Sequence, residues 1–483
     1  MAGGTFFALN TALRGLMAQQ KALQTTAHNV ANASTEGYTR QRVVMAATFA
    51  YPVPSMSRPG GQGWQVGTGV EVQEVRRMRD EFLDGQIRYE THTLGAWEVR
   101  RDFLQEMEEV FAEPSDTGLS TLMSDFWAAW QELAKNPESS PVRTTVVETS
   151  ISLAEALRHT YQQLETIRED INQMMEIKVV EVNSLARQIA DLNKQIKAIK
   201  LAGDQPNDLM DQRDKLLDEL AKIVDFQVEP ETVTVNGEEV DTGAIKVLID
   251  GSNIVEVDSG GNLVRTLETE RDGDGNTVIK WADNTPVTIK NGVLKGLQTV
   301  RDEQLKNFTE DLNKLAQTLA SKINEIHKQG VDLNGNTNYE NFFVSLDGQE
   351  ITAANIDVNS SIREDVSRLA AAQSANPGDG SNALAIAQLQ STVIEELGAT
   401  FDNYYKNFTA RLGVAANEAD RMATNQQSLV DQLTNRKESI SGVSIDEEMS
   451  YMIQFQHAYE AAARVMTTLD EMLDTLINRM AVH

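Results

Sequence analysis

The chain has 483 residues, enough for about two to four domains rather than one ordinary core, and its 41% hydrophobic content is ample for folding. Its 72 acidic against 43 basic residues give a formal net charge of -29, a surface that repels phosphate backbones and anionic lipid and excludes nucleic acid and membrane as partners. There is no cysteine, which excludes disulfides, thiolate catalysis and cysteine-based zinc or iron–sulfur sites.

The N-terminus does not read as a Sec signal, because the first basic residue is Arg14 and polar Asn10, Thr11, Gln19 and Gln20 interrupt any apolar stretch. Proline is absent through Tyr51, so the first stretch is free to be one long helix. Phe6, Leu9, Leu13, Leu16, Gln20, Leu23, Ala27 and Val30 follow alternating steps of three and four, a heptad seam with one polar position. The seam ends at the turn-forming cluster Asn32-Ala33-Ser34-Thr35-Glu36-Gly37.

Residues 95–225 read as helix, and Leu164, Ile167, Ile171, Met175, Val179, Val182, Leu185, Ile189, Leu192, Ile196 and Ile199 average 3.5 residues per step. That period predicts a long rod, broken at Gly203-Asp204-Gln205-Pro206 and resumed from Asp208 to Ile223. From Phe226 to Lys290 the period becomes two, with short strands at 232–235, 244–249, 253–257, 262–266, 277–281 and 287–289 separated by glycine turns. Helix returns over 296–329, a loop-rich stretch runs to Asn382, and helix follows to Lys437.

Ser444 with Glu447 three residues on is a capping box for the last helix, and Asp446, Glu447 and Glu448 suit its positive end. Met452, Phe455, Tyr459, Ala462, Met466, Leu469, Leu473, Leu476 and Met480 continue the alternation of three and four. Residues 1–50 carry Arg14, Lys21, Arg40 and Arg42 against Glu36, whereas residues 440–483 carry seven acids against Arg464 and Arg479. Complementary seams and charges predict that the two chain ends pair with each other, the alternative being that each packs on the body.

The expected architecture is mainly α with an inserted all-β domain. A paired terminal coiled coil takes 1–45 and 440–483, a helical rod-like domain 46–225 and 296–439, and a small β-rich outer domain 226–295. Such nesting leaves both ends at one pole.

Chemistry is sparse. Asp272-Gly-Asp-Gly-Asn276 and Asp332-Leu-Asn-Gly-Asn336 have the oxygen-rich look of calcium loops, but neither has the glutamate at position twelve, so they read as turns. The histidines at 28, 92, 159, 327, 457 and 483 have no metal-site spacing, and no GxxxxGK[ST] or GxSxG occurs. The glycines at 60, 61, 63, 67 and 69 lack the strand and helix of a phosphate cradle. The sequence predicts no enzyme, no cofactor and no metal.

His28-Asn-Val-Ala-Asn-Ala-Ser-Thr-Glu-Gly-Tyr-Thr-Arg40 resembles the N-x-A-N-x-x-T-x-G-Y-x-R signature of flagellar rod, hook and hook-associated proteins, matching at Asn29, Ala31, Asn32, Thr35, Gly37, Tyr38 and Arg40. The segments 207–218, 324–343 and 439–459 are similar to stretches of the hook-associated members of that family. The resemblance implies a structural subunit that joins hook to filament. It also implies paired terminal helices in the innermost tube, export through the flagellar type III apparatus, and an extracellular place in the flagellum. The partners it implies are further copies of the chain, the hook protein, the next hook-associated protein, and a cytoplasmic chaperone near the C-terminus. Rival readings are a hook or distal rod protein, and a type III-secreted effector with coiled-coil ends.

Overall fold

The computed structural model describes residues 2–50, 66–111, 118–235, 238–258, 261–337, 340–376 and 378–475. It is mostly helical, with a few small antiparallel sheets and a long C-terminal helix. Helix α1 (Ala2–Ala31) leads into a hairpin of β1 (Gln41–Ala47) and β2 (Val70–Arg77). Four helices follow: α2 (Glu81–Phe111), α3 (Leu119–Lys135), α4 (Ser140–Leu201) and α5 (Asn207–Ile223).

A four-stranded sheet comes next, ordered β3 (Gln227–Val235), β4 (Glu238–Ile249), β5 (Ser252–Asp258) and β6 (Gly261–Val264), then a hairpin of β7 (Leu267–Arg271) and β8 (Thr277–Trp281). Helix α6 (Val293–Thr299) passes through a π-helical turn into α7 (Lys306–His327). A short ladder of β9 (Phe343–Ser345) and β10 (Ile356–Val358), then α8 (Ser360–Glu364) and α9 (Ser381–Gln388), precede α10 (Phe401–Ser441) and α11 (Ile445–Asp474).

Helix α4 organises the body. Its 62 residues span about 90 Å at 1.5 Å per residue. Pro141 falls in its first turn, where no helical hydrogen bond is lost, and Gly203 at φ +95° ends the chain's helical path. Leu164, Ile167, Ile171, Met175, Val179, Val182, Leu185, Ile189 and Ile196 are buried, while Leu192 and Ile199 are half-buried and Asn193 is buried instead. That offset is the drift of a straight 3.6-residue helix against a 3.5-residue repeat. Around this stripe pack α3, α5 and strands β4 to β8 and β10. Near the start of α4, Phe126, Trp127 and Trp130 of α3 meet Phe342, Phe343 and Phe401 edge-on or tilted, with Trp130 and Phe342 5.4 Å apart.

One device recurs where helix meets strand: a helical asparagine offers its side-chain amide as if it were a backbone peptide. Asn183 of α4 donates to the Leu267 carbonyl (2.7 Å) and accepts from the Leu267 N–H (2.9 Å). Asn193 does the same with Ile245 (2.8 and 3.3 Å), and Asn324 of α7 with Phe343 (2.8 Å for both). Asn172 accepts from the Thr277 N–H at 2.9 Å and donates to the Gly275 carbonyl at 3.3 Å. Each asparagine satisfies two backbone groups of a β segment, and where these are buried an unmet group would cost stability.

Three sequence expectations change. Residues 287–289 form no strand: Asp250 and Asp225 accept the Thr288 and Lys290 amides at 3.0 and 2.9 Å, taking donors a neighbouring strand would need. The helix expected from 382 to 437 is interrupted between α9 and α10 by a turn in which Ile394 bridges Ala399 and Gly398 sits at φ +66°. The hairpin of β1 and β2 was not foreseen. Both oxygen-rich loops are turns in which the first aspartate, Asp272 or Asp332, accepts two N–H groups of its own loop. Of the glycine-rich segment, residues 60, 61 and 63 lie outside the described residues.

Candidate assembly site where the two chain ends meet the body

Helices α1 and α11 pack against each other, and α1 also lies on β1 and β2. The pair is antiparallel, since the end of α1 meets the start of α11, with Ala22, Thr25 and Thr26 sharing a cavity of about 370 Å³ with Tyr451, Gln454 and Phe455. On α11 the heptad positions Met452, Phe455, Tyr459, Met466, Leu469 and Leu473 are half-buried, and Leu476 lies outside the described residues. On α1, Leu9, Leu16, Leu23 and Val30 are half-buried, but Phe6 is 60% and Leu13 38% exposed. The buried stripe of α1 consists instead of small and polar residues, Ala12, Ala18, Ala22, Thr25, Thr26 and Asn29. A helix covered on two sides buries the face between its partners, and alanine lets both approach closely; the leucine seam is left on the flank.

The signature residues converge on Asn29, which is 1% exposed and uses its full hydrogen-bonding capacity. Its amide nitrogen donates to the Gln41 carbonyl and to Glu448 Oε2, both at 2.9 Å. Its oxygen accepts from the Gln41 N–H at 3.0 Å and from the Tyr38 hydroxyl at 2.8 Å. This is the same helix-to-strand amide pairing found in the body, here with both spare positions taken. Arg40 donates through Nε to Glu448 Oε1 at 2.8 Å, lies 3.1 Å from Glu447, and covers the Tyr451 ring at 5.7 Å. Its own backbone N–H donates to the Ser441 carbonyl at 2.9 Å, tying β1 to the joint between α10 and α11.

The remaining signature positions shape the turn. Asn32 caps α1 by donating to the His28 carbonyl at 3.0 Å, and the Thr35 hydroxyl donates to Asn32 at 3.3 Å. Gly37 adopts φ +82°, which a side chain would strain. Ala31, Thr35 and Gly37 are exposed. Burial and the nearby carboxylates of Asp208, Asp211 and Glu448 push the Tyr38 hydroxyl up, so it stays protonated and donates.

The start of α5 receives this turn. Asp211 accepts the Thr39 N–H at 2.9 Å, Asp208 accepts from Gln41 at 2.8 Å, and Asn207 donates to the Val75 carbonyl at 2.8 Å. Beneath lies a buried charge network: Arg77 with Asp211 and Asp214 at 2.8 and 2.7 Å, Arg79 with Asp84 at 2.5 Å, and Lys437 of α10 with Asp84 and Asp218 at 3.2 Å. Burial works to raise Asp214, yet the guanidinium groups of Arg79, Arg77, Arg213 and Arg88 outweigh it and hold its carboxyl at about 2. For Asp211 burial wins, and its carboxyl is raised.

The site therefore joins segments 29–41, 207–214 and 441–448. Each carried a family resemblance in the sequence, but their meeting did not show there. The joint itself needs Gly442, because a Cβ at that position would stand 2.4 Å from the Glu438 carbonyl. The fourth resembling segment sits apart, around buried His327, whose Nε2 accepts from the Ala370 N–H and whose Nδ1 donates to the Glu340 carbonyl, both at 3.1 Å. Capping of α11 follows the sequence reading in part: the Ser444 hydroxyl accepts from the Glu447 N–H at 3.4 Å, but the Glu447 carboxylate turns to Arg40. Among the described residues no ion pair joins Arg14 or Lys21 to α11, so of the expected charge matches only Arg40 is engaged within the chain. Also among the described residues, no group of three His, Asp or Glu is placed to hold a metal ion.

Comparison with known proteins shows which family the chain resembles. Residues 104–343 match the helical domain of the flagellar hook-associated protein FlgK, 438–480 the C-terminal part of the basal body rod FlgEFG proteins, and 9–39 the flagella basal body rod protein. Flagellar hook-associated protein 1 of Escherichia coli K12 is 27% identical, with 97% of this chain and 99% of the relative covered. The solved structure of the flagellar hook junction protein FlgK from Burkholderia pseudomallei shares the fold at a TM-score of 0.62 and 16% identity, over 74% of this chain and all of that one. Flagellar hook-associated protein 1 of Bacillus subtilis strain 168 is 33% identical over 511 residues, with 99% of each chain covered. At that identity and coverage, the chain belongs to the flagellar hook-associated protein 1 family.

Proposed function

We propose that this chain is a structural subunit of the bacterial flagellum that assembles at the hook–filament junction and connects hook to filament without catalysis. The observation that carries this reading is the convergence on Asn29 of the axial signature, the start of α11 and the start of α5. It is an arrangement for holding two chain ends in place, not for turning over a substrate. The hook and distal rod alternatives are disfavoured by the match to the FlgK helical domain over 104–343, and the secreted-effector alternative by near-full-length likeness to structural proteins.

On this reading α1 and α11 form a coiled-coil unit, residues 46–225 and 296–439 the rod-like body, and 226–295 the inserted β-rich outer domain. The unit meets further copies of the chain through faces it leaves open. Phe6, Leu13 and Met17 are exposed on α1 beside Arg14 and Lys21, and Met449 and Ile453 are exposed on α11 beside Asp446 and Glu460. Different patches of opposite charge on the two helices suit a heterologous contact, the kind that builds rings and helical arrays. The hook protein lies on one side and the next hook-associated protein on the other. The subunit reaches this extracellular place by type III export, held beforehand by a cytoplasmic chaperone near its C-terminus. Among the described residues no helix is long and apolar enough to cross a membrane.

A deletion strain tests the reading. Normal hooks with flagellin released into the medium are expected, restored by the full chain but not by chains lacking 1–40 or 445–483. Filaments that still attach in the deletion strain would sink it.

A further inference from the structure

A heptad seam is nearly degenerate to sliding: moving one helix by seven residues presents an equivalent set of apolar positions to its partner. The α1–α11 contact is open to this, because all seven described seam residues of α11 are only half-buried and the α1 stripe facing inward is largely alanine and threonine. Against that background one residue stands out. Glu448, 3% exposed, is the sole fully buried residue of α11 among those described, and it bonds to Asn29, itself 1% exposed. A slide of one heptad, about 10 Å at 1.5 Å per residue, would part Glu448 from both Asn29 and Arg40 and leave one Asn29 N–H without its acceptor. The cost would fall on a carboxylate and a side-chain amide at once.

We propose that the buried Asn29–Glu448 pair sets the register of α1 against α11, with Arg40 holding Glu448 in place. Apolar burial supplies the attraction between the chain ends, and this pair selects one alignment among several of similar burial. The role deepens the junction reading, since patches on α1 and α11 meet a neighbouring copy correctly only if the two helices are aligned. Glu448 and Asn29 are positioning residues.

The absence of native cysteine makes a cross-linking test clean. One full-length chain carries cysteines at Ala22 and Phe455, which share a cavity in the structure, and another carries them at Ala22 and Ala462, one heptad along. The background with native Glu448 should oxidise to a disulfide only at Ala22–Phe455. Glu448→Leu keeps burial but removes the selector, so cross-linking should divide between the two pairs with helical content unchanged. Glu448→Gln, which keeps an acceptor for Asn29, should restore the single alignment. The double change Asn29→Leu with Glu448→Leu guards against a misfolded single variant, and should also divide. A Glu448→Leu or doubly changed chain that cross-links only at Ala22–Phe455 overturns the proposal. Failure of the native background to cross-link at either pair overturns the paired-helix reading itself.

Discussion

Asn29 shows how much structure one side chain fixes. Removing its amide leaves the Gln41 peptide and the Glu448 carboxylate buried without their partner. Asn29→Ala is therefore expected to cost roughly 3 kcal/mol, the order found when a buried donor or acceptor is orphaned. Hydrogen exchange at the Gln41 amide should report it as a large loss of protection, with the Leu267 amide in the body unchanged. Two histidines carry a second expectation. Burial pushes His92 and His327 down to about 4, and for His327 a second ring proton would also break the bond from the Ala370 N–H. In the unfolded chain both titrate near 6.5, so below that pH the unfolded state binds protons the folded state does not. Stability should be flat above neutrality and decline as pH falls from about 6.5 to about 4, by up to roughly 3 kcal/mol for each histidine. Urea midpoints across that range check it, and His327→Gln should flatten part of the slope.

At the level of elements, the asparagines of α4 act as rungs on which the β segments hang. Asn183→Leu removes both bonds to Leu267, and the β7–β8 hairpin is expected to exchange its amides faster while the α3 aromatic cluster stays protected. Hydrogen exchange resolved by peptide would show whether loss stays local. These rungs also show what the sequence could and could not tell. The long helices were legible because apolar spacing is a local signal, visible in α4 from Leu164 to Ile196 and in α11 from Met452 to Leu473. The asparagines were not, although Asn172 and Asn193 fall beside seam positions, because an amide spelled in one letter reads alike whether solvated or paired. The hairpin of β1 and β2 escaped for a related reason: Val70, Val72 and Val75 alternate with charged or polar neighbours, but the flanking glycines read as loop. Arg77, Asp211 and Asp214 gave no sign of burial, since ion pairing across 134 and 137 residues leaves no mark in local pattern. For α1 the heptad reading found the helix but not its buried side, which depends on two neighbours rather than one.

For the whole molecule, the division between sheltered and open charge matters most. Arg40, Arg77 and Arg79 are engaged within the chain, whereas Arg14 and Lys21 are exposed on α1. If the latter serve contacts between copies, Arg14→Glu with Lys21→Glu should abolish self-association while leaving the hub near Asn29 protected. Glu460→Lys with Glu471→Lys in a second chain should likewise fail alone, yet a mixture of the two should associate, each acidic α1 meeting a basic α11. Sedimentation at low salt reads both, and a doubly acidic α1 that associates like the native chain would refute the assignment. Screening by added salt should weaken native association as well, because exposed ion pairs are the ones that salt reaches.

The amide rungs have a further consequence. Asn183, Asn193 and Asn324 hold strands to helices through neutral groups, and Asn29 repeats that bond at the base of the terminal pair. Neutral, buried contacts respond little to ionic strength, so added salt is expected to leave the strands fastened to their helices while it screens the exposed charges of α1.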